Sequence, residues 1–488
     1  MWLLGTQPSR RLRFEFGSLS RRLHIKSLLF RLIAIGLGLG CSLIVAEVAL
    51  RLLYPPYTHF YVWPPGTAMV FKPMRSLFPG ISGPSRFTIN SQGIRGQDLA
   101  AGDGYRILAV GGSSTECLYL DDAKAWPALV EELLRRSSAR KDVWVGNVGK
   151  SGMNSRDHVL HVKYLPREYP RIDAILLLVG VNDLTVALSQ DDHYAPPPPL
   201  TAPGAESQQI RRAFAIAPGR LTDPPTDSLI LLDAPRYKRS AVYQLLKRAR
   251  AAVRDRMSKH GLLQDQSGVV LATWRDHRRH ATGILEQLPD LRPALKEYAT
   301  NLDRIVSLAR AQSIRLVLLT QPTLWRADLP RSTEDLLWLG GIGDFQLQPG
   351  MPYYSVAALA DAMRQFNEVL LDVCHARRAE CLDLAARIPK DTSIFYDDVH
   401  FTERGAQLVA EEVAKYLRGR PPLAPENAQR RPSGETVGGS STAPPRQPEP
   451  ASQRTGVDRR RRVAASLQER AAPVRVSGLL HVVGGRQS

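Results

Sequence analysis

Cysteine is scarce, with four in 488 residues. That excludes a small disulfide scaffold, in which many bridges staple a loop-rich chain. No zinc-finger spacing and no RNA-binding aromatic signature occurs, and there are no internal repeats. The GGSS turn at 111–114 is not a P-loop, because it lacks the Gly-Lys of that motif. Acidic residues are outnumbered, 47 against 65, which gives a formal charge of +18. The excess sits at the two ends. Residues 1–31 carry seven basic residues against the single Glu15, and the stretch after Leu417 carries thirteen arginines against five acids. The middle is nearly balanced, so no nucleic-acid groove is implied and nucleic acid is not an expected partner.

Long apolar runs are also few, and one stands apart. From Leu32 to Leu50, LIAIGLGLGCSLIVAEVAL, only Glu47 is charged. About 20 apolar residues span a bilayer. The Arg and Lys cluster precedes the run, so the N-terminus should stay in the cytoplasm and the rest should be exported. The expectation is a basic cytoplasmic segment at 1–31 and a membrane anchor at 32–53. Glu47 and Arg51 lie four apart and can pair near its outer end. A cleaved signal peptide is the alternative, but the run is long and lacks a clean small-x-small site. Cys41 does not mark a lipoprotein, because Gly38 replaces the usual aliphatic residue and the run continues past it. Cys374 and Cys381 are seven apart, across a helix end and a strand. In an exported domain they could form a disulfide or stay as two buried thiols.

Residues 54–104 are Pro- and Gly-rich and read as an extended stalk with one hairpin or extended piece, RFTINSQGIRG. From Arg106 the pattern alternates. Strands are expected at 106–110, 142–148, 174–180, 314–322 and 381–385, and helices at 125–136, 155–165, 293–312, 358–377 and 403–420. AILLLVG at 174–180 is apolar on both faces, as in a buried parallel strand. The alternation implies an α/β domain over 105–420, with a parallel sheet covered on both faces. An insertion fills 184–292. It opens with YAPPPPLTAPGAES and holds an amphipathic basic stretch at 240–257, which packs on its own domain or lies on a membrane surface. Residues 421–488, rich in Pro, Arg, Ser and Gly, should be a disordered tail.

In an open parallel sheet, ligands bind beyond the carboxyl ends of the strands. Gly111, Gly112, Ser113 and Ser114 follow the first strand. Asn147, Gly149 and Gly152 lie at the end of the second; Gly180, Asn182 and Asp183 follow the third; Asp397, Asp398 and His400 follow the fifth. Any one of these sets alone is a turn, a cap or a surface loop. Together they supply what acyl transfer by serine needs: a nucleophile, a base, a carboxylate to orient the base, and donors for the oxyanion. Ser113 is the candidate nucleophile, His400 the base and Asp397 its partner, with Asp398 as the alternative carboxylate. The amides of Ser113 and Gly152 and the side chain of Asn182 are the candidate oxyanion donors, with glycine at 152 allowing close backbone approach. This chemistry needs no metal and no cofactor.

The set resembles that of the SGNH (GDSL-like) hydrolases. GGSS matches the first block, Asn147 to Gly152 the second, GVND the third and DDVH the fourth, over about 106–180 and 300–418. Gly112 stands where the family commonly has a non-catalytic Asp, as in membrane-anchored bacterial members. NSQGIRG in the expected stalk also looks like the segment before the first block of those members. A G-x-S-x-G elbow is excluded, because Thr115 stands where its last glycine should be. The resemblance implies a flavodoxin-like three-layer sandwich with five parallel strands. With the anchor, it implies a serine esterase on the outer side of the bacterial inner membrane, acting on acyl groups of an envelope glycan or lipid. An O-acyltransferase using the same residues, or an inactive glycan-binding module, are the rival readings. Trp325, Tyr353 and Tyr354 could line a sugar site, but such aromatics are more often core or loop packing and stay outside the candidate site.

Overall fold

The computed structural model describes residues 12–53, 60–99, 104–137, 142–214 and 267–424, together with Gly102 and scattered positions between 237 and 250; for 12–27 it describes the backbone alone. The tail expected at 421–488 lies outside these residues beyond 424, as do residues 1–11 of the basic segment and most of the stretch at 240–257. The chain divides into two compact units, one of residues 1–64 and 197–262, the other of 65–196 and 263–488.

In the first unit a helix runs from Leu12 to Leu53. Its stretch Leu28–Leu53 is long and apolar enough to cross a membrane, with mean hydropathy 2.3. Glu47 and Arg51 pair at 2.7 Å, as the four-residue spacing allows. Glu47 also accepts the Ser240 hydroxyl at 2.7 Å and the Ala241 amide at 3.0 Å, so its carboxylate is met by several donors.

The second unit is built on parallel strands. In chain order the strands are β1 (Ala68–Phe71), β2 (Ser85–Thr88), β3 (Tyr105–Gly111), β4 (Val143–Asn147), β5 (Ala174–Leu178), β6 (Ile284–Leu285), β7 (Arg315–Leu319), β8 (Tyr353–Tyr354) and β9 (Glu380–Leu382). Five form the main sheet in the order β4-β3-β5-β7-β9, and all their pairings are parallel. This is the flavodoxin-like order, with its switch point at β3. β3, β4 and β5 are buried along their whole length, as expected where helices cover both faces. Each large aliphatic side chain so buried contributes roughly 1.5–3 kcal/mol. Trp126–Ser137, Ser155–Tyr164, Arg292–Ala311, Val356–Arg377 and Glu403–Arg418 form the main covering helices.

Residues 65–99 are not an extended stalk. β1 and β2 form an antiparallel hairpin, and Phe78, Phe87 and Ile94 are buried within the same unit as the sheet. Arg95 pairs with Asn147 through both backbone bonds, at 3.0 and 3.1 Å, extending the edge of β4. Arg95 is 4% exposed. It donates to the carbonyls of Cys117 at 2.9 Å and Leu120 at 2.6 Å and pairs with Asp122 at 2.9 Å. The hairpin expected in RFTINSQGIRG is present, with Ile89 bridged to Arg95, but the pairing of β1 with β2 reaches across residues 72–84 and has no local pattern to mark it. Arg95→Ala should cost about 3–5 kcal/mol, since it strands buried carbonyls and a carboxylate. A urea midpoint that drops with unchanged slope would bear this out, and a loss under about 1 kcal/mol would contradict it.

The expected insertion also divides. Val181–Gln190 and Ser267–Arg279 are helices of the sheet-bearing unit, whereas 197–262 belongs to the other. Arg275 and Arg278, both buried, tie the second of these helices to backbone carbonyls of Leu336, Leu339, Tyr354 and Tyr396. Cys374 and Cys381 form a disulfide with a Cα–Cα separation of 6.2 Å, joining the end of Val356–Arg377 to β9.

Candidate active site

The carboxyl ends of β3, β4 and β5 and the loop before Glu403–Arg418 carry the candidate residues. β3 runs into Gly111 and Gly112. A Cβ at Gly111 would meet Thr115 Oγ1 at 2.2 Å and the Leu178 carbonyl at 2.7 Å, so only glycine fits. A Cβ at Gly112 would lie 2.4 Å from Asn182 Nδ2. Glycine there, in place of the family's common Asp, lets the Asn182 amide close over the turn that presents Ser113. Ser113–Glu116 is a single helical turn, ended by Cys117 in the left-handed conformation at φ 52°. Ser114 locks the turn to the histidine loop through its hydroxyl, which donates to the Val399 carbonyl at 3.1 Å. Trp126 Nε1 donates to the Ser114 carbonyl at 3.1 Å.

The histidine loop is a tight hairpin. Tyr396 N–H donates to the His400 carbonyl at 3.0 Å, and Thr402 N–H to that of Ile394 at 2.8 Å. Thr402 then caps Glu403–Arg418, accepting the Gly405 N–H at 3.0 Å. Within the loop Asp397 curls back on His400. His400 Nδ1 lies 2.7 Å from Asp397 Oδ2, and Asp397 Oδ1 accepts the amides of Val399 at 3.0 Å and His400 at 2.9 Å. Trp338 Nε1 donates to Asp397 Oδ2 at 3.1 Å. Asp398 faces elsewhere: it accepts from Trp325 Nε1 at 2.8 Å and from the backbone amides of Trp338 and Leu339 at 2.8 and 3.2 Å. Asp397, and not Asp398, is therefore the carboxylate on the imidazole. Trp325, Tyr353 and Tyr354 are buried, which accords with packing.

Electrostatics follow the contacts. Burial opposes a charge on Asp397, but the His400 imidazole, the two amides and Arg275 outweigh it and hold the carboxyl below its ordinary range. Burial likewise disfavours a charged His400, yet Asp397 above all, with Asp398 and Glu116, raises its pKa above the usual imidazole value. Asp398 is pushed up by burial and by the charge of Asp397.

Asn182 lies in the first turn of Val181–Gln190, whose cap Gly180 has φ 137°, and it donates to the Met153 carbonyl at 2.7 Å. Gly152 has φ +77° and nothing within 4 Å of where a Cβ would be. Its positive φ is a backbone conformation that glycine adopts without strain. Asn147 braces the turn, donating to the Thr115 carbonyl at 2.8 Å and accepting the Gly149 N–H at 2.8 Å. Asp183 accepts both the N–H and the hydroxyl of Ser155 at the start of Ser155–Tyr164; burial pushes its carboxyl up to about 7. Ser113 and His400 line one cavity of about 10 Å³ together with Cys117, Leu120, Tyr396 and Phe401 among others. No cluster of three or more His, Cys, Asp or Glu suited to a metal occurs among the described residues.

Sequence reasoning missed Glu116, Trp338 and Arg95, which touch the turn or the Asp397 carboxylate. Only Glu116 left a trace, as an acid three residues after Ser113.

A parallel α/β sheet with these groups at its carboxyl edge defines an enzyme that cleaves ester bonds. The chain belongs to the GDSL-like Lipase/Acylhydrolase family, whose profile matches residues 109–408. Similar solved structures include a lipolytic G-D-S-L family protein from Veillonella parvula, with 11% identity, 64% of this chain and 98% of that chain covered, and a TM-score of 0.31. The acetylxylan esterase Axe2 from Geobacillus stearothermophilus has 12% identity, coverages of 64% and 94%, and a TM-score of 0.32. A putative lipolytic G-D-S-L protein from Desulfitobacterium hafniense has 10% identity, coverages of 64% and 100%, and a TM-score of 0.30. A comparison with curated proteins finds no match.

Proposed function

We propose that the protein is a membrane-anchored serine esterase in which Ser113, His400 and Asp397 act as a triad. The observation that carries this reading is the 2.7 Å contact of His400 Nδ1 with a buried, ionised Asp397, on an imidazole that shares a cavity with Ser113. That contact keeps the Nδ1 proton in place and leaves Nε2 free to accept. Ser113 Oγ attacks the ester carbonyl as its proton moves to His400 Nε2. The oxyanion is held by the amides of Ser113 and Gly152 and by Asn182 Nδ2. Collapse expels the alcohol, which takes the proton from His400. Water, deprotonated by His400, then attacks the acyl-enzyme and releases the acid and free Ser113.

The apolar helix Leu28–Leu53, entered from a basic flank, supports an anchor with the enzyme outside the cytoplasm, where an acylated envelope glycan or lipid is the substrate. The cavity supports a short acyl group. At about 10 Å³ it holds little more than a water-sized group. If the acyl group enters this cavity, longer chains crowd Leu120, Tyr396 and Phe401 more than an acetyl methyl does. With full-length protein in detergent, kcat/KM for p-nitrophenyl acetate should exceed that for the butyrate by about 100-fold. Equal or faster turnover of butyrate or octanoate would overturn the short-acyl reading.

A further inference from the structure

Glu116 occupies the last position of the turn that begins at Ser113, and it is 2% exposed. A carboxyl so buried requires a compensating contact. Its Oε2 accepts the Ser151 N–H at 3.1 Å and also the Ser151 hydroxyl. Ser151 is the residue before Gly152. The charged groups acting on Glu116 are Lys150 from the same loop, Arg95 from the hairpin segment and His400 from the histidine loop. Burial outweighs them and pushes the carboxyl up to about 7.

The main chain around Glu116 is fixed independently of this side chain. Arg95 Nη1 donates to the Glu116 carbonyl, and Asn147 Nδ2 to that of Thr115 at 2.8 Å. A Cβ at Gly149 would lie 2.3 Å from Glu116 N, so the loop already presses on the turn. The loop's own bonds hold its two ends: Lys150 N–H donates to the Gly111 carbonyl at 3.1 Å, and the Met153 carbonyl accepts from Asn182. Between these points Met153 N–H donates to the Lys150 carbonyl at 3.3 Å, closing a turn over the Ser151–Gly152 peptide, and Ser151 within that turn is gripped at two atoms by one carboxylate oxygen.

Resting on the serine-esterase reading above, we propose that Glu116 is a positioning residue for the oxyanion site: through Ser151 it holds the Gly152 amide in register with the Ser113 amide. Glu116 and Ser113 share one helical turn, so this contact ties both backbone donors to one rigid piece. Donors that miss the oxyanion by a fraction of an ångström lose transition-state stabilisation with little effect on the bound ester.

The test compares full-length wild type, Glu116→Gln and Ser151→Ala for kcat and KM on p-nitrophenyl acetate and for melting temperature. Glu116→Gln keeps the shape and weakens the grip. Ser151→Ala removes the hydroxyl contact alone and leaves the turn untouched. The expected result is a fall in kcat of about 10–100-fold in each, short of the 10²–10³-fold loss of a whole donor. KM should stay within about threefold and the melting temperature within about 2 °C for Ser151→Ala. A residue that merely supports the fold would move melting temperature and leave the kcat of the folded fraction intact. If Glu116→Gln fails to fold, Ser151→Ala decides. Wild-type kcat in a folded Ser151→Ala or Glu116→Gln, with wild type active and Ser113→Ala dead, overturns this role and leaves the esterase reading standing. An inactive wild type overturns both.

Discussion

Ser113→Ala and His400→Ala should each lower p-nitrophenyl acetate turnover by about 10⁴-fold or more. Ser113 contributes the atom that bonds the acyl carbon. Alanine leaves only the oxyanion donors and binding to act on water. His400 contributes the base that makes a serine hydroxyl a nucleophile near neutral pH and then protonates the leaving alcohol. Because the two act as a unit, the double variant should be hardly slower than either single one. Ser113→Ala should not disturb the fold, whereas His400→Ala leaves the buried Asp397 without its partner and should lower stability. Ser113 is half-buried, and its hydroxyl makes no hydrogen bond among the described residues. The Ser113→Ala melting temperature should therefore match wild type. Parallel measurement of kcat and melting curves checks both statements, and a single variant retaining a tenth of the wild-type rate would contradict the triad.

Asp397→Asn should cost about 10⁴-fold in kcat with the protein still folded. Asparagine keeps the size and one acceptor, so the bonds from Val399 and His400 can persist. It presents no negative charge to the imidazole, and its amide can turn an N–H toward His400 Nδ1. The proton then moves to Nε2, the wrong tautomer for a base. The change also alters the pH profile. His400 must be neutral to accept the serine proton, and its pKa is raised chiefly by Asp397. Wild-type kcat/KM should fall as pH drops through that raised value. In Asp397→Asn the acid limb should move to lower pH. Asp398→Asn is the contrast: Asp398 bonds Trp325 and the 338–339 backbone instead of His400, so the expected loss is stability of about 1–3 kcal/mol with kcat changed less than tenfold. Equal losses of kcat at the two positions would contradict the assignment.

Much of this was legible before any coordinates because parallel strands share a direction. Once RILAV, DVWVGNV and AILLLVG read as parallel strands, the residues after each had to fall on one edge of the sheet. Ser113, Asn147 and Asn182 therefore met by topology alone. His400 was legible for a different reason: Asp397 lies three residues before it, close enough to fold back. What stayed hidden depends on contacts between residues far apart in sequence. The partner of Glu116 is Ser151, 35 positions later, and nothing in the period of either segment announces it. Arg95 reads as a surface charge in a polar turn. Its burial is tolerable only because carbonyls of the 117–120 segment meet it, and backbone acceptors have no sequence signature. The pairing of 68–71 with 85–88 was lost in a stretch whose prolines and glycines suggest a stalk, because the two strands are separated by residues 72–84 and only the shorter hairpin within RFTINSQGIRG is locally marked. The left-handed conformation of Gly152 was also hidden, because a glycine alone does not say which φ its loop imposes.

The central claim is that Ser113 is the nucleophile. Its most direct test is to treat the full-length protein with a fluorophosphonate and find the modified residue by peptide mass spectrometry. The account predicts a single adduct on Ser113, absent from Ser113→Ala and formed far more slowly in His400→Ala. An unmodified Ser113 in protein that hydrolyses p-nitrophenyl acetate, or an adduct elsewhere that abolishes that activity, would contradict it.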